Sequence, residues 1–261
     1  LGKAAAQRFA HEGWHVIASM RRPSEETELT KVEGIELMAL DVSDPAAITE
    51  AAARTLKDYG PVDVLFNNAG YGLAGPLEAS EDDQLVRQID TNLLGVMRLT
   101  KAFVPSMRER RTGTIVTTTS IGAHLGMPFT SAYHATKWAL EGWSESLWYE
   151  LKSVGVRIKT VAPGGITTDF AGRSLDQAMH PAYEKQLASV WQAVGKRQAK
   201  SSTAEQIADV VFEAATDASD RLRYLAGDDA KMMHSDRLLR GPEKYMEASY
   251  DEYFAAFAQG E

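Results

Sequence analysis

Tyr133 and Lys137 stand four residues apart, and Ser120 precedes the tyrosine by thirteen. The segment Ser131-Ala-Tyr-His-Ala-Thr-Lys-Trp-Ala-Leu140 has a helical pattern, so positions 133 and 137 share one face. A phenol ordinarily titrates near pH ~10. A neighbouring ammonium favours the phenolate and pulls that value toward working pH. A tyrosine so placed can pass a proton to or from a carbonyl oxygen. Ser120 ends the β-branched run Thr114-Ile-Val-Thr-Thr-Thr119, and its hydroxyl could hold the same oxygen. Tyr-x-x-x-Lys by itself is a weak signal, since an isolated pair on a helix is usually a solvated face. The elements that must position these groups decide between the two readings.

Residues 3–12 predict an Ala-rich helix stopped by Gly13, and 14–19 and 35–40 predict strands. Asp44 as N-cap and Pro45 at the first position start a helix to about Tyr59. Val62 to Phe66 reads as a short buried strand, 81–110 as a long bent helix, and 113–119 as a strand. A helix over 132–154, a strand over 156–161, a helix over 204–216 and a short strand near 223–225 follow. Strands alternating with helices predict an α/β fold: one domain, 1–261, with a doubly wound parallel sheet of Rossmann type and helices on both faces.

Small or polar residues follow five successive strands. They are Met20-Arg21-Arg22, Asp41-Val42, Asn67-Asn68-Ala69-Gly70, Ser120 and Ala162-Pro163-Gly164. Each alone could be an ordinary turn. Together they mark the carboxyl edge of an open sheet, where ligands bind in such folds.

The composition narrows the function. With 261 residues, 44% hydrophobic, the chain can build one sizeable core. A net charge of -8 argues against nucleic acid, which wants a basic face. No apolar run approaches the ~20 residues needed to span a bilayer, so no membrane partner is expected. Cysteine is absent, which suits a cytoplasmic protein and rules out thiol chemistry. No metal-ligand spacing stands out.

These motifs together resemble the short-chain dehydrogenase/reductase (SDR) family, over most of the chain. Ser120, Tyr133 and Lys137 match three members of its catalytic tetrad, and Asn92, in Asp90-Thr-Asn-Leu-Leu-Gly95, matches the fourth. The resemblance implies that Asn92 anchors a water relaying protons to Lys137, and that Lys137 also reaches the nicotinamide ribose. Asn67, Asn68, Ala69 and Gly70 resemble the motif beside the adenine ribose, and Asp41 and Val42 the pair at the adenine ring. Pro163-Gly164-Gly165-Ile166-Thr167-Thr168 resembles the segment that holds the nicotinamide carboxamide. The family opens with a strand and a Thr-Gly-x-x-x-Gly-x-Gly turn, of which only Leu1 and Gly2 match here. The chain is therefore read as part of a longer protein, since without that strand two inner strand edges would be exposed.

NAD-preferring sites of this kind place an acid at the end of the second family strand, against the ribose 2′-hydroxyl. Here that position is Met20, followed by Arg21 and Arg22. Guanidinium groups grip a 2′-phosphate, which predicts NADP(H), with Arg21 the main contact. Glu25 and Glu26 lie close enough to pair with these arginines instead.

The expected activity is hydride transfer between NADP(H) and a carbonyl or secondary alcohol. Residues 171–200, with Phe170, form a substrate flap in this reading, and its apolar side chains suggest an apolar small molecule. His124 lies in the loop expected to line the pocket, and His134 is expected to be structural. Trp138, Gly142, Glu145 and Tyr149 share a second face of helix 132–154 and predict a homodimer or homotetramer through it. Residues 242–258 predict a C-terminal amphipathic helix. Alternatives are an epimerase or dehydratase of the related extended family, and a non-catalytic NADP(H)-binding regulator.

Overall fold

The computed structural model describes residues 1–167, 175–198 and 201–258. The chain begins with helix α1 (Gly2–His11), followed by strands β1 (Val16–Met20) and β2 (Ile35–Ala39). Helix α2 (Pro45–Asp58) then leads to β3 (Val64–Asn67). The Asp44 carboxylate accepts from the Ala46 and Ala47 amides at 2.8 and 3.3 Å, and Pro45 takes the first turn.

The predicted long helix 81–110 is two helices, α3 (Asp82–Ile89) and α4 (Gly95–Arg110), joined by a π-turn over Asp90–Leu94. A capping box of Glu81 and Gln84 fixes its start. A side chain on Gly95 would meet the Val42 carbonyl at 2.7 Å, so glycine lets the start of α4 cross directly against the end of β2. Between β3 and α3 a short strand, β4 (Gly72–Ala74), was not predicted.

Strand β5 (Thr114–Thr118), helix α5 (Ser131–Ser153) and strand β6 (Arg157–Pro163) form the next unit. Then come β7 (Ile166–Thr167), β8 (Leu175–Gln177), α6 (Glu184–Gln198), β9 (Ser202–Thr203), α7 (Ala204–Thr216) and β10 (Arg223–Ala226). Helices α8 (Asp228–Arg240) and α9 (Pro242–Ala258) follow. The α8 helix is absent from the sequence reading.

The main strands all run parallel, in two hydrogen-bonded sections. One pairs β1 with β2, and the other has the order β10-β6-β5-β3. The facing edges of β1 and β3 border a cleft of about 640 Å³, lined by Phe9, Val16, Ala18, Val64, Phe66 and Leu99 among others. This is where the resemblance puts the family's first strand. Helices α1 and α7 cover one face through Ala5, Phe9, Ile207 and Val211. On the other face α2, α4 and α5 pack Ile48, Phe103, Met107 and Leu151 against Ile115 and Ile158. The two layers leave the carboxyl strand ends as the open edge.

Two minor pairings shape that edge. Strand β8 runs parallel to β4, and β7 runs parallel to β9. Gly75, at φ 142°, brings its backbone so close to the Ala178 carbonyl that any side chain would overlap it. Residues 175–178 are thereby locked to the segment after β3.

Candidate active site

Ser120 caps a short 3₁₀ turn just past β5, and its Oγ accepts from the Gly122 amide at 3.0 Å. Its hydroxyl faces the Tyr133 phenol closely enough to draw that group's pKa down. The Lys137 Nζ lies 5.8 Å from the Tyr133 ring centroid and donates to the Thr118 carbonyl at 2.9 Å. One turn of α5 and the end of β5 thus bring serine, phenol and ammonium to one place.

Burial sets their protonation more strongly than the pair does. It holds Lys137 down at about 8, and it pushes the Tyr133 phenol up while the Ser120 hydrogen bond pulls it down. The sequence reading expected Lys137 to lower the phenol. In this geometry the ammonium sits beside the ring and is bonded to a backbone carbonyl, so Ser120 supplies the opposing influence.

Asn92 is buried in the π-turn, a local geometry frequent at functional sites. Its Oδ1 accepts from the Tyr71 amide at 3.0 Å, and its Nδ2 donates to the Tyr71 carbonyl at 2.8 Å. It also reaches Thr136 Oγ1 at 3.4 Å. A side chain on Gly70 would meet Asn92 Oδ1 at 3.1 Å and Lys137 Nζ at 3.9 Å, so Gly70 keeps this corner open. Asn92 and Lys137 therefore border the same small space.

The nucleotide candidates spread along the open edge. Gly2 starts α1 against Asn68, whose Nδ2 would lie 2.8 Å from a Cβ there. Asn67 turns inward instead, and its Nδ2 reaches Thr100 at 3.0 Å and Thr117 at 3.4 Å. Ala69 lines the cleft beside Asn68. Asp41 is held ionised by the Ser43 hydroxyl and amide, at 2.7 and 2.9 Å, which lower its pKa. Val42 packs beside it at Gly95. Arg21 and Arg22 are exposed past β1, and Arg22 pairs with Glu25 at 2.8 Å. Pro163 ends β6, Gly164 follows, and Ile166 is half-buried in β7. Thr168 lies outside the described residues, as does Phe170.

Two features here, Asp229 and Glu141, escaped the sequence reading, and the partners of a third, the structural His134, were not named by it. The Asp229 Oδ2 accepts from the Gly165 amide at 2.7 Å, pinning the turn after β6 from α8. The buried Glu141, one turn beyond Lys137, binds Thr119, Thr160 and Arg223. His134 spans the loop after Ser120: its Nδ1 meets the Gly122 carbonyl at 2.5 Å, and its Nε2 accepts from the Met127 amide at 3.1 Å. The one available signal for Glu141 was its four-residue spacing from Lys137.

The loop continues through Phe129, whose φ of 59° is rare for a bulky residue. Its carbonyl accepts from the Gly75 amide at 2.7 Å, and its ring meets Tyr183 and Phe254 edge to face. Met127 and Phe129 pack with Val194 and Phe254 against the buried Val190, Ala193 and Tyr253.

A nicotinamide dinucleotide fits these residues. The Lys137 ammonium spends one of its three protons on Thr118, Gly70 leaves the corner beside it free of side chain, and two guanidinium groups stand at the far end. Among the described residues no group of three or more acidic, His or Cys side chains could hold a metal, and no helix is long and apolar enough to cross a membrane.

Residues 1–178 match the family model described as short chain dehydrogenase. Oxidoreductase BOA17 of Botryotinia fuckeliana is 34% identical over 235 residues, covering 88% of this chain and 86% of that protein. The crystal structure of a short-chain dehydrogenase from Streptomyces avermitilis is similar with a TM-score of 0.82 at 29% identity, over 99% of this chain and 94% of that one. ElxO with NADP bound is similar with a TM-score of 0.70 at 26% identity, over 86% and 92%.

Proposed function

Given that the chain belongs to the short-chain dehydrogenase family, we propose that it is an NADP(H)-dependent oxidoreductase acting on the carbonyl or secondary alcohol of an apolar small molecule. The observation that carries this reading is the convergence of Ser120, Tyr133 and Lys137 at the end of β5, with the Lys137 ammonium 5.8 Å from the Tyr133 ring and bonded to Thr118. The cofactor supplies the hydride.

In the reductive direction Tyr133 gives its proton to the substrate oxygen. Ser120 donates a hydrogen bond to the charge developing on that oxygen. Ser120 favours the phenolate that Tyr133 becomes, and the Lys137 protons not spent on Thr118 serve the nicotinamide ribose hydroxyls. Asn92, bordering the same space, holds the water through which Lys137 exchanges protons with solvent. Gly2, Asn67, Asn68, Ala69 and Gly70 shape the dinucleotide path. Asp41 and Val42 meet the adenine, and Pro163, Gly164, Ile166 and Thr168 hold the nicotinamide.

NADP(H) is favoured over NAD(H) because Met20 leaves no acid at the end of β1, while Arg21 stands exposed beside it. The NADP bound to ElxO agrees with this preference. An apolar substrate is supported by the partly buried Met127 and Phe129 in the loop that follows Ser120. Residues 171–200 serve as the substrate flap. Their described part is anchored through β8 on β4 and through α6 on α9, so movement would have to pivot on those contacts. On α5, Trp138 and Tyr149 are exposed and a Cβ on Gly142 would meet nothing within 4 Å, which supports a homodimer or homotetramer through this helix. Sedimentation of the full-length protein tests the assembly. Turnover of apolar ketones with NADPH and with NADH tests the reaction.

A further inference from the structure

A carboxylate sits inside the protein one turn along α5 from Lys137. Glu141 is 5% exposed. Its Oε1 accepts from Thr119 Oγ1 at 2.7 Å, and its Oε2 accepts from Thr160 Oγ1 at 3.2 Å and from Arg223 Nε at 3.0 Å. These partners come from just past β5, the middle of β6 and the first residue of β10, and Thr119 adjoins Ser120. The carboxylate thus ties the helix bearing Tyr133 and Lys137 to the strand end bearing Ser120.

A buried carboxylate costs several kcal/mol of desolvation in round terms, so one retained so close to a buried lysine calls for a cause. Arg223 is half-exposed and shares its charge with Glu145, which leaves Glu141 a net negative influence on its surroundings. We propose that Glu141 is a positioning residue for Lys137: its carboxylate, fixed by Thr119, Thr160 and Arg223, keeps the Lys137 side chain an ammonium and sets the register of α5 on the Ser120 strand end. This inference rests on the oxidoreductase reading only for the use to which Lys137 is put.

The electrostatics agree with the geometry. Burial lowers the Lys137 pKa to about 8, and the Glu141 charge opposes that fall. Other charged groups face the carboxylate. His124, in the turn after β5, lies 3.7 Å from Oε1 and is held neutral by burial. His234 and Arg237 of α8 stand behind it, and His234 meets the His124 ring edge to face. On α5 itself the neighbours are Lys137 and Glu145, and on β10 Arg223.

The test is a side-chain titration of the full-length protein by lysine ¹⁵N NMR, with Lys137→Met assigning the signal. We expect Lys137 to titrate near pH 8 in the native protein and about one pH unit lower in Glu141→Gln, while Glu141→Asp, which keeps the charge, stays close to the native value. The alkaline limb of kcat moves down by the same amount in Glu141→Gln. A folded Glu141→Gln protein with an unmoved Lys137 titration overturns the inference, as does an equal shift in Glu141→Asp. If Glu141→Gln does not fold, Arg223→Gln, which removes the cation opposing the carboxylate, decides. A raised Lys137 titration supports the inference, and an unmoved one overturns it. A shifted lysine in a protein that reduces no carbonyl leaves this inference standing and removes the proposed reaction.

Discussion

Lys137 donates to the carbonyl of Thr118 at 2.9 Å, which fixes its ammonium at the last residue of β5, two residues before Ser120. The contact joins helix to sheet at the point where a proton would be handled. It also takes the ammonium out of water.

That burial has a measurable consequence for stability. Lys137 binds its proton less tightly when folded, at about 8, than at its ordinary value of 10.5. Between those values the unfolded chain holds more protons, so this residue's contribution to stability rises as pH rises through the window. Tyr133 acts oppositely, because its phenol is raised above 10, but only above that value. Denaturant midpoints of the native protein should therefore gain from pH 8 toward 10 relative to Lys137→Met, and equal slopes for the two would contradict the burial assigned here.

His134 gives the complementary case. Its Nε2 must stay unprotonated to accept from Met127, and burial lowers its pKa below the ordinary 6.5. As pH falls below 6.5 the unfolded chain takes a proton that the folded loop resists, so stability is lost. His134→Ala should cost about 1–3 kcal/mol at pH 7.5 by stranding Gly122 and Met127 groups, and should flatten the acid-side decline. Thermal unfolding between pH 5 and 8 reads both effects.

Much of this arrangement was legible beforehand. The Asp44–Pro45 start of α2, the alternation of strands and helices, and the clustering of polar residues after strands follow from local rules. The π-turn at 90–94 was not legible, because its residues fit an uninterrupted helix and the side chains that hold it, Asn92 on Tyr71 and Arg98 on Asp90, reveal their partners only in the fold. Strands β4 and β8 are three residues each and exist through pairing with one another, which no local pattern announces. Helix α8 is largely exposed, and its Leu238 and Leu239 point to solvent, so it lacks the apolar stripe that marks a helix. Glu141 looks like a solvated charge until Thr119, Thr160 and Arg223 are seen around it. His134 does prove structural, holding the loop from both ring nitrogens.

The two arginines after β1 should separate by experiment. Arg22 is tied to Glu25, whereas Arg21 is exposed near Asp41, whose pKa its charge lowers. Arg21→Glu should weaken NADPH relative to NADH by roughly tenfold or more in kcat/KM, the scale of a charge-assisted hydrogen bond. Arg22→Glu should change the ratio less. An Arg21→Glu variant that keeps its NADPH preference contradicts the assignment.

The central claim is proton transfer by Tyr133 beside a reduced nicotinamide. It is tested most directly by NADPH oxidation with the full-length protein over a panel of apolar ketones and aldehydes, run beside Tyr133→Phe. We expect turnover by the native protein and a loss of about 10²- to 10⁴-fold in the variant, with NADPH binding retained. Tight NADPH binding with no turnover of any carbonyl, or equal turnover by the variant, would contradict the account.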